Sequence, residues 1–178
     1  MNRDQFDHVI RAAAAVVEEA DIVVIGSQAI LGSEPDAPEQ LLRSIEVDVY
    51  PKQSPERAIE IDGALGDGSQ FHATFGYYAR GVGPETAVAP SGWQGRLVVI
   101  EVEGRAGSGQ RVSAHCLEPH DLILAKCAAG RDRDWDFAGH ALAAGVVELQ
   151  TLLDRAADLP VSDARQARVR KRLRALDP

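Results

Sequence analysis

The chain has 178 residues, 45% hydrophobic and 26% charged, with a formal net charge of −8 at pH 7; this is one ordinary domain with enough apolar material for a core. No apolar stretch reaches the roughly 18 residues that a membrane-spanning helix needs, and the acid-bearing, amphipathic start MNRDQFDHVIRAAAAVVEE is not built as an export signal. Two cysteines eleven residues apart, Cys116 and Cys127, make neither a disulfide framework nor a cysteine-rich zinc module, so a reducing cytoplasm is the expected location.

Residues 2–20 place Phe6, Val9, Ile10, Ala13, Val16 and Val17 at three- and four-residue spacing, which predicts a helix. Asp21 to Ile25 is a β-branched run, apolar on consecutive positions, as in a strand buried on both faces. It ends at Gly26-Ser27, from which a short helix over 27–31 opens with Ser27 as its cap. A loop over 32–38 and one or two helical turns to Arg43 follow.

Residues 45–50 alternate, putting Glu46 and Asp48 on one strand face and apolar side chains on the other. A helix is expected over 55–65, then weakly extended chain over 77–82 and 86–88. Residues 96–103 form a strand whose hairpin partner is 111–116, across an AGSG turn. From Pro119 the chain turns helical: 119–129 ending at Gly130, a second helix from 132–134 to Gly145, a third over 146–158, and a basic helix from Ser162 or Asp163 to Leu176. The expectation is an α/β core over 1–118 with a mixed twisted sheet of about five strands, helices mainly on one side, and a helical region over 119–178 packed on it as one compact unit.

Two features carry chemistry together. Backbone N–H groups at a helix start, with a Ser hydroxyl beside them, suit a polyphosphate. Carboxylates two apart on one strand face, Glu46 and Asp48, project side by side and can share divalent ions. A triphosphate held between such donors and metal-bearing carboxylates is what nucleotidyl transfer requires. Each feature has a bland alternative, a tight turn and a solvent-facing strand edge.

The segments VVIGSQAIL and LRSIEVDVYP resemble the signature of the DNA polymerase β-type nucleotidyltransferase superfamily. EPHDLILAKCAAGRDRDWDFAGHAL is similar to the corresponding segment of bacterial nucleotidyltransferases of the abortive-infection toxin type and their uncharacterised relatives. The resemblance covers roughly residues 9 to 155. It implies that Gly26 and Ser27, with Arg43 and Ser44 of the Arg-Ser-x-acid-x-Asp motif, bind the nucleotide. It further implies that Glu46 and Asp48 hold Mg²⁺ or Mn²⁺, that Lys126 reaches a phosphate, and that Asp134 orients Lys126 or completes the acidic cluster.

The chain departs from that pattern in three places. Glu46 stands where the superfamily usually has Asp, moving the carboxylate by up to roughly 1.5 Å. A Pro- and acid-rich insertion lengthens the stretch between Ser27 and Glu46. The third carboxylate is open between Glu101, Glu103 and none.

The expected activity is metal-dependent transfer of a nucleoside monophosphate from an NTP to a protein or RNA hydroxyl, in a toxin–antitoxin setting. The alternative is a catalytically silent, antitoxin-like binding module of the same fold. Oligomeric state is open.

The remaining side chains have plainer readings. The five histidines are scattered without metal-binding spacing, and His120 reads as a polar cap. Trp93 and Trp135 read as packing anchors, while Tyr77, Tyr78 and Arg80 could line a nucleotide base pocket or belong to a structured loop. Residues 165–178 carry six basic side chains against Asp177 alone, leaving 26 acids against 13 bases elsewhere. So acidic a body disfavours DNA, and the basic helix reads as a solvated face above Val169, Leu173 and Leu176.

Overall fold

The structure, a computed structural model, describes residues 1–103 and 111–176. Helix α1 (Arg3–Val17) starts at Asn2, whose side chain accepts the Gln5 N–H while the Gln5 side chain returns to the Asn2 N–H. Strand β1 (Asp21–Ile25) leads into a 3₁₀ turn over Ser27–Gly32. Ser27 lies inside that turn and Gly26 holds the cap position without a side-chain bond, so the expected Ser27 cap is not made.

Strand β2 (Glu46–Pro51), helices α2 (Ala58–Leu65) and α3 (Gln70–Phe75), and strand β3 (Tyr78–Gly81) follow. No local sequence pattern announces α3. It is only six residues long, half of them polar, started by Ser69, whose hydroxyl accepts the His72 N–H at 3.1 Å. Residues 86–88 form no strand; Pro84–Thr86 is a 3₁₀ turn.

Strands β4 (Val98–Glu103) and β5 (Arg111–Cys116) pair antiparallel with Glu103 opposite Arg111, and the AGSG turn between them lies outside the described residues. Four helices complete the chain: α4 (Pro119–Ala129), α5 (Asp132–Ala143), α6 (Leu149–Arg155) and α7 (Asp163–Arg174).

The five strands lie in the order β3-β2-β1-β5-β4. β1 is antiparallel to β2 and parallel to β5, and β2 is parallel to β3. The sheet is therefore mixed, the α+β architecture expected. One face carries Val47, Val49, Ile22, Val24, Ala79 and Ala114, all fully buried. Helix α2 lies so close to this face that a Cβ on Gly81 would stand 1.8 Å from the Ala58 carbonyl oxygen. The opposite face carries Glu46, Asp48, Tyr78 and Arg80, because residues paired across neighbouring strands project to the same side.

A single apolar cluster runs from α1 through the sheet to Leu122, Ile123 and Leu124 of α4, Trp135 of α5, and Val169 and Leu173 of α7. The helical segment is thereby anchored on the sheet layer. No helix among the described residues is long and apolar enough to cross a membrane.

Residues 82–97 carry the chain from one sheet edge to the other. They are held by Arg96, whose guanidinium donates to the fully buried Asp121 at 2.7 and 3.2 Å. Arg155 of α6 donates to the same carboxylate at 3.2 Å and to Glu118 at 2.5 Å. His120 lies 2.6 Å from Glu118 and accepts the Glu148 N–H at 3.0 Å, a bracing role in keeping with a polar cap.

Burial alone would raise the Glu118 pKa, but hydrogen bonds from His120 and Arg155 outweigh it and hold the carboxyl at about 2. A depressed carboxyl contributes stability that is complete above its ordinary pKa of 4.5 and is lost as pH falls through about 2. Acid titration of unfolding should therefore show a loss on the order of 2–3 kcal/mol across that window. Glu118→Gln should flatten this limb, as read by urea denaturation at a series of pH values.

Candidate functional site: a cleft at the end of β1

The chain leaves β1 at Ile25, which is paired with Asp48 of β2. It turns through Gly26 at φ 78°, ψ −173°, a conformation open to glycine almost alone. The turn passes so near Asp48 that a Cβ on Gly26 would sit 2.1 Å from Asp48 Oδ2. The Gly-Ser bend and the second carboxylate of the acid pair therefore border the same hollow. This cleft, of about 900 Å³, is lined by Gly26, Ser27, Arg43, Ser44, Glu46, Asp48, Lys126 and Asp134, among others.

Its floor is electrostatically strained. Asp48 Oδ1 is buried and has no hydrogen-bond partner. Burial raises the Asp48 pKa and the neighbouring Glu46 carboxylate raises it further, while Arg80 and Lys126 pull the other way; the net result is a carboxyl pushed up to about 7. Glu46 Oε2 accepts a hydrogen bond from the Tyr78 hydroxyl at 2.7 Å. Arg80 Nη1 stands 3.6 Å from Glu46 Oε1 and 3.9 Å from Asp48 Oδ1. The parallel register of β2 and β3, Glu46 beside Tyr78 and Asp48 beside Arg80, produces these contacts.

The far wall comes from α4 and α5. Lys126 has its Nζ 3.8 Å from Asp134 Oδ1 and 4.5 Å from the centre of the Phe137 ring, and its side chain is only 15% exposed. It is therefore not a solvated surface lysine. Burial lowers the Lys126 pKa, with Asp134 opposing. Asp134 is buried, accepts the Arg131 backbone N–H at 3.2 Å, and takes the Arg131 guanidinium at 2.7 and 3.2 Å. It thus caps α5 and faces Lys126 at once.

Arg43 is an exposed rim residue. The Ser44 hydroxyl is engaged with the backbone of Glu46, accepting its N–H and donating to its carbonyl, each at 3.1 Å. Its observed contacts fix where Glu46 enters β2.

Glu101 stands apart from this cleft. It is in register with Ser113, which is in register with Asp21 at the opposite end of β1 from Gly26. Two strands separate β4 from β2, so Glu101 is roughly 14 Å across the sheet and roughly 13 Å along it from the acid pair. Its carboxylate accepts from the Ser113 hydroxyl at 3.1 Å, and with Glu103 it lines a separate surface depression beside Asp4, Asp7 and Arg11. Neither residue supplies a third carboxylate. Among the described residues no group of three or more His, Cys, Asp or Glu side chains is placed to hold a metal.

Of the aromatic pair, Tyr78 lines the cleft, whereas Tyr77 turns to the other side of β3 and meets His8 Nδ1 at 2.8 Å. Nothing local in the sequence marks the bidentate grip of Arg131 on Asp134. Both cysteines are buried with thiol pKa values pushed up to about 12 by desolvation, so neither supplies a nucleophile.

Residues 4–174 match the family described as "Nucleotidyltransferase of unknown function (DUF6036)". The chain belongs to that family. No curated protein and no solved structure matches it.

Two outcomes follow from the floor geometry. Gly26→Ala should cost about 2–4 kcal/mol, from the forbidden backbone region and the overlap with Asp48 together; chemical denaturation measures it. In metal-free buffer Asp48 holds its proton to about pH 7 folded but only to its ordinary 3.8 unfolded, so its ionised form opposes folding and stability rises as pH falls between those values. Asp48→Asn should remove this dependence and raise stability at pH 8 by on the order of 1–3 kcal/mol.

Proposed function

We propose that the cleft is the active site of a divalent-metal-dependent nucleotidyltransferase, moving a nucleoside monophosphate from an NTP to a hydroxyl on RNA or protein. The observation that carries this reading is the buried, partnerless Asp48 Oδ1 beside Glu46 at the Gly26-Ser27 bend. An unsatisfied carboxylate oxygen in a buried site is costly, and a divalent cation is a partner that would satisfy it. Two side-by-side carboxylates suit Mg²⁺ or Mn²⁺, which commonly takes one or two carboxylates and completes its shell with water and phosphate oxygens. The missing third carboxylate is therefore compatible with the donor set present.

When bound, the metal would neutralise phosphate charge and lower the pKa of the attacking hydroxyl. The chain's own residues do the remaining work. Glu46 and Asp48 would hold the metal. Ser27 and the backbone at the bend face the phosphates, where N–H donors stabilise anionic oxygens. Lys126, half-released from water and aimed into the cleft, stabilises charge on the departing phosphate as a point cation, with Asp134 and the Phe137 ring fixing its position. Arg43, Arg80 and Arg133 line the same space and add positive potential for a polyanion. No side chain is assigned as general base.

A second reading has its own support. Tyr78 and Arg80 already engage the acid pair, the arrangement a metal-free binding module would use, such as an antitoxin-like partner. The resemblance to the polymerase β-type superfamily and to abortive-infection toxins favours the enzyme, acting in a toxin–antitoxin setting in the cytoplasm.

Incubation with each labelled NTP, Mg²⁺ or Mn²⁺, and bulk RNA or cell lysate should yield a labelled acceptor. Asp48→Asn should cut the yield by at least about a hundredfold, the loss typical of removing a charge-organising group, while remaining folded. NTP binding without transfer would support the silent module, and no NTP binding with or without metal would remove both readings.

A further inference from the structure

We propose that Tyr78 is a positioning residue that adapts the site to a glutamate at position 46, holding the Glu46 carboxylate where a shorter acid would stand unaided. The inference rests on the reading of Glu46 and Asp48 as metal ligands and extends it to the way one of them is aimed.

Glu46 has one methylene more than Asp, and with it an additional rotatable bond. A ligand that samples several rotamers binds a small, geometry-demanding cation poorly, because Mg²⁺ requires near-ideal octahedral placement of its donors. Unaided, the longer side chain would also overreach, since the carboxylates of Glu46 and Asp48 start from alternate residues of one strand and share one narrow floor.

Three contacts remove that freedom. The Tyr78 hydroxyl donates to Glu46 Oε2 at 2.7 Å. The Ser44 hydroxyl fixes the Glu46 backbone from both its N–H and its carbonyl. Arg80 Nη1 lies 3.6 Å from the other oxygen, Oε1, and 3.9 Å from Asp48 Oδ1, so both oxygens lie within reach of one point, which the guanidinium approaches without a hydrogen bond to either. One Glu46 oxygen is thus engaged by the phenol, and the other is left for the site.

Tyr78 is itself held. The His72 ring packs against it at 4.7 Å between centroids with a 46° tilt. His72 is placed by the first turn of α3, where Ser69 accepts its N–H, and its Nδ1 lies 3.2 Å from the Gly68 N–H and 3.0 Å from Asp67 Oδ1. This gives the short, sequence-silent helix α3 a role: it backs the phenol that aims the acid. The Glu46 hydrogen bond, then burial, push the Tyr78 pKa up to about 12, so the hydroxyl remains a donor across the working pH range.

The test reads metal affinity and not turnover. Mn²⁺ alone is titrated into the full chain and followed by electron paramagnetic resonance, for the wild type, Tyr78→Phe, Glu46→Asp and the double variant. A hydrogen bond to a charged group of this kind corresponds to roughly a tenfold or greater change in equilibrium, so Tyr78→Phe should weaken Mn²⁺ binding about tenfold. Glu46→Asp, whose shorter carboxylate needs no phenol to reach that place, should bind Mn²⁺ about as well as the wild type. In the Glu46→Asp background Tyr78→Phe should then change nothing, a non-additivity that a general structural role for Tyr78 would not produce.

His72→Leu, which leaves the hydroxyl and removes its support, should give a smaller loss, and thermal melts of each variant confirm folding. Wild-type Mn²⁺ binding that Tyr78→Phe leaves intact, or a Tyr78→Phe penalty that persists in the double variant, would overturn the proposal while the function above stands. A wild type that binds no Mn²⁺ would overturn both.

Discussion

The approach of the Gly26 backbone to the Asp48 carboxylate is the constraint on which the rest of the cleft depends. β1 and β2 pair with Ile25 opposite Asp48, so the chain leaving β1 must pass over the acid pair within a side chain's width. Only a residue without a Cβ can do so at φ 78°. The result is a carboxylate pressed against a turn, largely shielded from water, beside a second carboxylate. Each of these features opposes ionisation, and each would be relieved by a cation. A fold that keeps an arrangement costly to its own stability is retaining it for another purpose, and strain of this kind gathers at functional sites.

The charges around the floor are arranged to limit that cost without abolishing it. Arg80 stands within 4 Å of both carboxylates but is exposed and donates a defined hydrogen bond to neither. Such a contact is weak and readily exchanged. On the opposite wall, Asp134 is shared between Arg131, which grips it at both oxygens, and Lys126 at 3.8 Å. Because Arg131 satisfies Asp134, the lysine's own attachment is loose and its charge stays available to the cleft. The site thus presents acids on one side and a partly desolvated cation on the other, the polarity that the proposed metal-bound polyphosphate would require.

Much of this was legible locally. The alternation of residues 45–50 is enough to place Glu46 and Asp48 on one face, and the consecutive apolar run at 21–25 is enough to bury β1. Lys126 and Asp134 were reachable only through family resemblance, since a lysine on an apolar helix and an acid at a helix start look ordinary in isolation. What the sequence withheld was set by pairing between distant strands. The parallel register of β2 with β3 decides that Tyr78 faces the acids and Tyr77 faces away, and no local pattern encodes it. The same applies to Glu101: its strand was correctly read, but its position two strands from β2 follows from the order β3-β2-β1-β5-β4. Helix α3 escaped because six residues with a single Phe71–Phe75 pair at helical spacing are too few to establish a repeat, and its stability comes from the Ser69 cap and from aromatic packing among Phe71, Phe75, His8 and Tyr77.

The basic C-terminal helix acts on the site through packing. Its apolar residues Val169 and Leu173 are buried as the spacing suggested. The arginines, however, are not all idle in water. Arg165 donates to the Ala128 carbonyl at the end of α4, where a cation complements the helix dipole. Arg172 lies 4.5 Å from the centre of the Trp135 ring and 3.7 Å from Asp132, at the start of α5. These contacts clasp the α4–α5 turn from outside, while Lys126 and Asp134 face the cleft from its inner side. A segment set apart by its charge thus belongs mechanically to the wall that holds the lysine, and the family match, which runs to residue 174, includes it.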